Sequence, residues 1–105
     1  MIRVSVMYPN SKGTTFDMTY YCDRHMPMVR KLLGSALKEL VVEEGIAGGG
    51  PGMPAPYLAV GQLLFDSVES FQTLFDQYAQ QIMGDIPNYT NSQPTIQISE
   101  IKLEL

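Results

Sequence analysis

His25 is the single histidine of this 105-residue chain, and its side chain is the one whose ordinary pKa suits proton abstraction near neutral pH. Close by, in Thr15–Gly34 (TFDMTYYCDRHMPMVRKLLG), lie the single cysteine, Cys22, and two of the six tyrosines, Tyr20 and Tyr21. At about 100° per residue, Met18, Tyr21, Cys22, His25, Met28, Val29, Leu32 and Leu33 fall on one side of a helix. Asp17, Asp23, Arg24, Arg30 and Lys31 fall on the other. His25 lies near the middle of the apolar side, so its ring is aimed inward. It then serves either as a general base beside a pocket or as a core histidine bonded to a carbonyl or tyrosine.

Tyr21 precedes His25 by four residues and shares its face, so the two rings can meet. Its hydroxyl is placed to donate to a developing oxyanion or enolate. Tyr20 projects away, toward the flank or a second subunit. Cys22 can approach His25, but a Cys–His nucleophile needs a lowered thiol pKa and a third orienting group. Neither is visible, and a buried, inert thiol is the expectation.

One histidine and one cysteine, with no carboxylates clustered on the His25 face, cannot build a standard metal site. Haem needs only one histidine, but no other feature points to it. No metal and no organic cofactor are expected. The formal net charge is −4 with seven dispersed basic residues, so nothing attracts nucleic acid or anionic lipid. A single cysteine excludes an intrachain disulfide framework and favours a reducing compartment. No signal-peptide pattern opens the chain, and no apolar run approaches the ~20 residues of a spanning helix. A cytoplasmic protein of one domain, residues 1–105, is expected.

The elements that must hold these residues follow from periodicity. Ile2, Val4, Val6 and Tyr8 alternate with polar positions as a strand, and Pro9–Gly13 is turn chemistry. Thr14 or Thr15 is placed to cap the first helix, which Pro27 should kink or break just after His25. Gly34 is a suitable C-terminal cap. A second strand is read over Ala36–Ile46, followed by the irregular loop Ala47–Pro56. That loop lacks the lysine and spacing of a phosphate-binding P-loop.

Tyr57–Phe65 reads as a third strand, so apolar that burial on both sheet faces is expected. Asp66 or Ser67 should cap the second helix, with Asp66 and Glu69 in a loose capping box. Val68, Phe71, Leu74, Phe75, Tyr78, Ala79 and Ile82 form its apolar stripe, and Gly84 ends it. A last strand is read over Thr95–Glu104, with a bulge where the apolar positions shift parity at Ser99–Glu100. Tyr57 and the segment Asp85–Thr90, including Asn88 and Tyr89, flank the two irregular connections and are candidate ligand contacts. Local turn bonding is the plain alternative.

The order βαββαβ predicts an α+β, ferredoxin-like fold, with an antiparallel four-stranded sheet and both helices on one face. Apolar residues on both sheet faces predict a second copy covering the open one, a homodimer.

The helix FDMTYYCDRHMPMVRKLLG, with YY and then HxP, the loop GGPGMPAPY, the helix start FDSVESF and the series DIPNYT…IQISEI together resemble the EthD family. The similarity covers nearly the whole chain. It implies a dimeric α/β barrel, in which the sheets of two ferredoxin-like protomers pack together. The family's links to degradative and polyketide-type pathways imply a small apolar, carbonyl-bearing or aromatic metabolite. A cofactor-independent cyclase, decarboxylase, isomerase or monooxygenase would use His25 and Tyr21 catalytically, with Tyr20, Tyr57, Asn88 and Tyr89 around the substrate. A non-catalytic carrier of a hydrophobic metabolite, or a structural dimer with a filled pocket, remain the other readings of the same residues.

Overall fold

The computed structural model describes residues 1–105. Its strands are β1 (Ile2–Pro9), β2 (Glu39–Glu44), β3 (Tyr57–Phe65) and β4 (Thr95–Glu100). Its helices are α1 (Met18–Tyr20), α2 (Met26–Leu33) and α3 (Val68–Gly84), with a wide π turn over Tyr21–His25 joining α1 to α2. The sheet order is β2-β3-β1-β4, antiparallel at every junction. This is the expected ferredoxin-like topology.

Alternation decides what faces the helices. Ile2, Val4 and Tyr8 are buried on β1 opposite Phe65, Leu63 and Ala59 of β3, and against them pack Val29 and Leu33 of α2 and Phe71 and Ile82 of α3. The opposite face is mixed. Met7 lies opposite Val60, and Arg3 opposite Leu64, while Ser5 Oγ donates to Gln62 Oε1 at 2.6 Å. In the protomer this face is half-exposed, not buried as the apolar run of β3 suggests.

Several boundaries differ from the sequence reading, each for a local reason. Asp17, not Thr14 or Thr15, caps α1 by accepting from the Tyr20 amide at 3.0 Å. The chain before it is held extended by a bridge between Phe16 and Thr90, so helix cannot start earlier. β2 is shorter than Ala36–Ile46 because Gly34–Ala36 coil into a 3-10 turn. Ser67 caps α3 through the Ser70 amide, which displaces the Asp66–Glu69 box. β4 pairs with β1 without a register shift and ends at Glu100. The change of parity therefore marks the end of the strand rather than a bulge.

The interruption near Pro27 is real but lies on its N-terminal side. Pro27 has no N–H to give the carbonyl of Asp23, which frees the turn before it to widen. The Met26 amide reaches back five residues to the carbonyl of Tyr21. The extra residue in that turn places Tyr21, His25, Met26 and Val29 on the interior face. It also turns Cys22 outward, so the thiol is exposed and the buried-thiol reading is corrected.

Candidate functional site

The wide turn delivers two rings into the core in a stack. The rings of Tyr21 and His25 lie 5.5 Å apart with 15° between their planes, and both residues are buried. The other half of the site comes from the connection after α3. Asp85 follows the helix directly, Ile86–Asn88 form a 3-10 turn, and the next two residues are pinned to the start of the first helical segment. There the Asp17 amide donates to the carbonyl of Tyr89 at 2.8 Å, and Thr90 Oγ1 donates to the carbonyl of Thr15 at 2.7 Å.

This docking brings Asp85 Oδ2 to 2.9 Å from His25 Nδ1. Oδ1 of the same carboxylate accepts from Tyr20 Oη at 2.8 Å and from Asn88 Nδ2 at 2.8 Å. A carboxylate accepts only, so the Asp85 contact puts the proton of a neutral His25 on Nδ1 and leaves Nε2 with its lone pair. On that side stands Tyr89 Oη, 3.4 Å from Nε2, itself 2.6 Å from Tyr8 Oη. The result is a continuous line of groups: Asp85, His25, Tyr89, Tyr8.

Below the line lies an apolar cavity of about 50 Å³ between the sheet, α2 and α3. Of its 14 lining residues only Tyr8 and His25 carry a side-chain nitrogen or oxygen. It approaches the surface at the β4 edge, where Met83 is 39% exposed and Ile96 43% exposed. No charged side chain belongs to the wall, so the cavity favours an uncharged apolar molecule.

Burial holds the His25 pKa below its ordinary value, and Asp85, which favours the charged ring, only partly offsets this. Burial acts to raise Asp85, but hydrogen bonds from Asn88, His25 and Tyr20 outweigh it and hold the carboxyl below its ordinary value. Burial also pushes the Tyr8, Tyr21 and Tyr89 phenols up, so they stay protonated at neutral pH. For both His25 and Asp85 the folded pKa is the lower one. The unfolded chain therefore binds protons first as pH falls, and stability must decline in acid. We expect a loss beginning as pH drops through about 6.5, the ordinary histidine value, and a further loss in the carboxylate range. Urea midpoints between pH 7.5 and 5 test this, with His25→Gln as reference. A gain in stability on acidification that His25→Gln abolishes would instead mean a charged ring paired with Asp85.

The sequence-predicted residues divide clearly. Tyr20, His25, Asn88 and Tyr89 are brought together, but Tyr20 and Asn88 grip Asp85 and Tyr89 stands between His25 and Tyr8, so of the four only His25 lines the cavity. Tyr21 reaches His25 as expected, yet its hydroxyl is buried without a partner and faces Gly61 of β3. It does not line the cavity, so the expected oxyanion donor is misplaced. Tyr57 heads β3 and joins none of the aromatic contacts or hydrogen bonds of the cluster. Two members were missed. Asp85 is placed by the sequence only within a lining segment, although it is the one carboxylate between Gly84 and Pro94. Tyr8 reads simply as the last apolar position of β1, with nothing to mark its hydroxyl.

A ferredoxin-like α+β protein with a His–Asp pair and a tyrosine line over an apolar cavity is the class that this geometry defines. The model of the EthD domain matches residues 14–93, and the chain belongs to the EthD family. It is similar over 99% of its length, and 94% of the other chain, to the crystal structure of an EthD-like protein from Ralstonia eutropha JMP134, with 46% identity and a TM-score of 0.93. An EthD family protein from Bacillus halodurans C-125 shares 19% identity with a TM-score of 0.74, over 97% of this chain and 99% of that one. A DABB family protein with a ferredoxin-like fold from Mesorhizobium loti MAFF303099 shares 10% identity with a TM-score of 0.56, over 98% and 97%. The last two likenesses concern the fold alone. No curated protein matches the chain. No helix is long and apolar enough to cross a membrane.

Proposed function

We propose that this chain is a single EthD-like domain that works as a homodimeric, cofactor-independent, cytoplasmic enzyme. It acts on a small, uncharged, carbonyl-bearing or aromatic metabolite, with His25 as acid and base. One observation carries the reading: Asp85 fixes Nδ1 of His25 while the same ring walls an apolar cavity. A base held in one tautomer beside an apolar pocket suits general base catalysis. Tyr8 supplies a hydroxyl donor on the wall, in place of Tyr21, and Tyr89 links it to His25. The dimer is supported by the half-exposed apolar residues of the helix-free sheet face, Met7, Val60 and Leu64, together with Val41 at 39% exposed.

The test is His25→Gln, assayed on a panel of neutral ketones, aldehydes and aromatic carbonyl compounds. The wild-type protein should sediment at twice 11.7 kDa and turn over at least one class. The variant should retain ligand binding but lose about a hundredfold or more in turnover. Undiminished turnover in the variant would overturn the assignment. Saturable binding with no turnover by the wild-type protein would make it a carrier.

A further inference from the structure

Tyr8 and His25 are the only polar residues on the cavity wall, and the same two residues are joined behind it through Tyr89. We infer that the site catalyses enolisation of a neutral ketone or aldehyde, with Tyr8 as the catalytic hydroxyl and Tyr89 as the relay that returns the proton. This rests on the proposed acid–base reading of His25 and adds the reaction class and the second catalytic residue.

The geometry suits a 1,3-proton shift. The α-carbon and oxygen of a carbonyl compound are separated by one atom, and each must lie within about 3 Å of its own catalytic group. Nε2 of His25 and Oη of Tyr8 both reach Tyr89 Oη, at 3.4 Å and 2.6 Å. In the proposed site the carbonyl group sits against this couple and the rest of the molecule extends toward the opening at the β4 edge, while Tyr89 closes the circuit from behind.

The proton balance closes without any further reagent. Nε2 takes the α-proton; the C–H pair becomes the C=C bond, and the carbonyl π pair moves to oxygen. Tyr8 gives its hydroxyl proton to that oxygen and receives one from Tyr89, which receives the proton now on Nε2. His25 returns to its neutral Nδ1–H form, Asp85 keeps its charge throughout, and the product is the enol. The enol hydroxyl exchanges with solvent on release, so the reverse reaction writes solvent hydrogen into the α-position. The absence of any cation in the wall selects neutral carbonyl compounds over carboxylates.

The experiment uses butan-2-one as probe and follows α-deuterium incorporation from D2O by NMR, with wild-type protein, His25→Gln, Tyr8→Phe, Tyr89→Phe and the control Tyr78→Phe. The wild-type protein and the control should accelerate exchange, and His25→Gln should not. Tyr8→Phe and Tyr89→Phe, which keep the rings, should each lower the maximal rate by about a hundredfold, with little change in the half-saturating ketone concentration. That split separates a lost proton route from a damaged pocket, and two independent breaks in one line guard against misfolding of either variant. Wild-type rates in both tyrosine variants, with His25→Gln inactive, would overturn the relay and leave the His25 reading standing. No acceleration by the wild-type protein, or equal acceleration by His25→Gln, would overturn both.

Discussion

Gly61→Ala should cost about 2–3 kcal/mol of stability and lower the melting temperature by roughly 10 °C. Gly61 is buried in the middle of β3, opposite Val6 of β1 and Val42 of β2. A Cβ there would stand 2.5 Å from Tyr21 Oη and 2.7 Å from Met26 Cε. The methionine tip can swing aside. Tyr21 cannot, because it is 0% exposed and packed against Tyr8, Phe16, His25 and Tyr89. Relief must come from displacing the wide turn itself, which would also shift His25. Thermal unfolding followed by circular dichroism measures the effect. Gly49→Ala, where the added atom meets nothing within 4 Å, should change stability by less than about 0.5 kcal/mol. Equal melting temperatures for the two variants would show that Tyr21 is not locked.

Asp85→Asn is the second large effect, and it acts on chemistry more than on folding. The amide keeps the shape of the carboxylate but loses its charge and one of its two acceptors. With its oxygen kept toward Tyr20 and Asn88, the Asn side chain turns its NH2 to His25 Nδ1, so His25 is no longer compelled to carry its proton there. On the proposed acid–base role of His25 we expect turnover to fall by about 10⁴-fold, the loss seen when an Asp-to-Asn change lets a catalytic histidine take the wrong tautomer. The His25 pKa should fall further, because burial then acts against the charged ring without opposition. Ring nitrogen NMR reads the consequence directly. The wild-type protein should show the Nδ1–H tautomer at neutral pH, and the variant a mixture or the Nε2–H form. An unchanged tautomer and unchanged turnover would remove Asp85 from the site's machinery.

The contrast between these two residues shows how far local sequence carries. Gly61 is visible only as an interruption of an apolar strand, and its reason lies in a tyrosine forty residues earlier. The alternation of Ile2, Val4, Val6 and Tyr8, the apolar stripe of α3 and the run Tyr57–Phe65 were legible because backbone periodicity is a short-range property. The inward aim of His25 was legible for the same reason. The order of elements gave the ferredoxin-like topology and the motif series the family, since both depend on succession along the chain rather than on any one contact.

What the sequence determined by itself, then, is the succession of elements, the faces they bury and the presence of one titratable ring on an interior face. Tertiary structure alone decided what that ring meets. Asp85 reaches His25 across 60 residues of chain because the connection after α3 docks on the start of α1. No local pattern encodes that docking. The wide turn before Pro27 likewise turned Cys22 outward and Tyr21 toward Gly61, leaving Tyr89, itself bonded to Tyr8, to meet the open nitrogen. Periodicity tells which side of an element a residue lies on. Hydrogen-bond partners depend on positions within a few tenths of an ångström, and those exist only once the elements have packed.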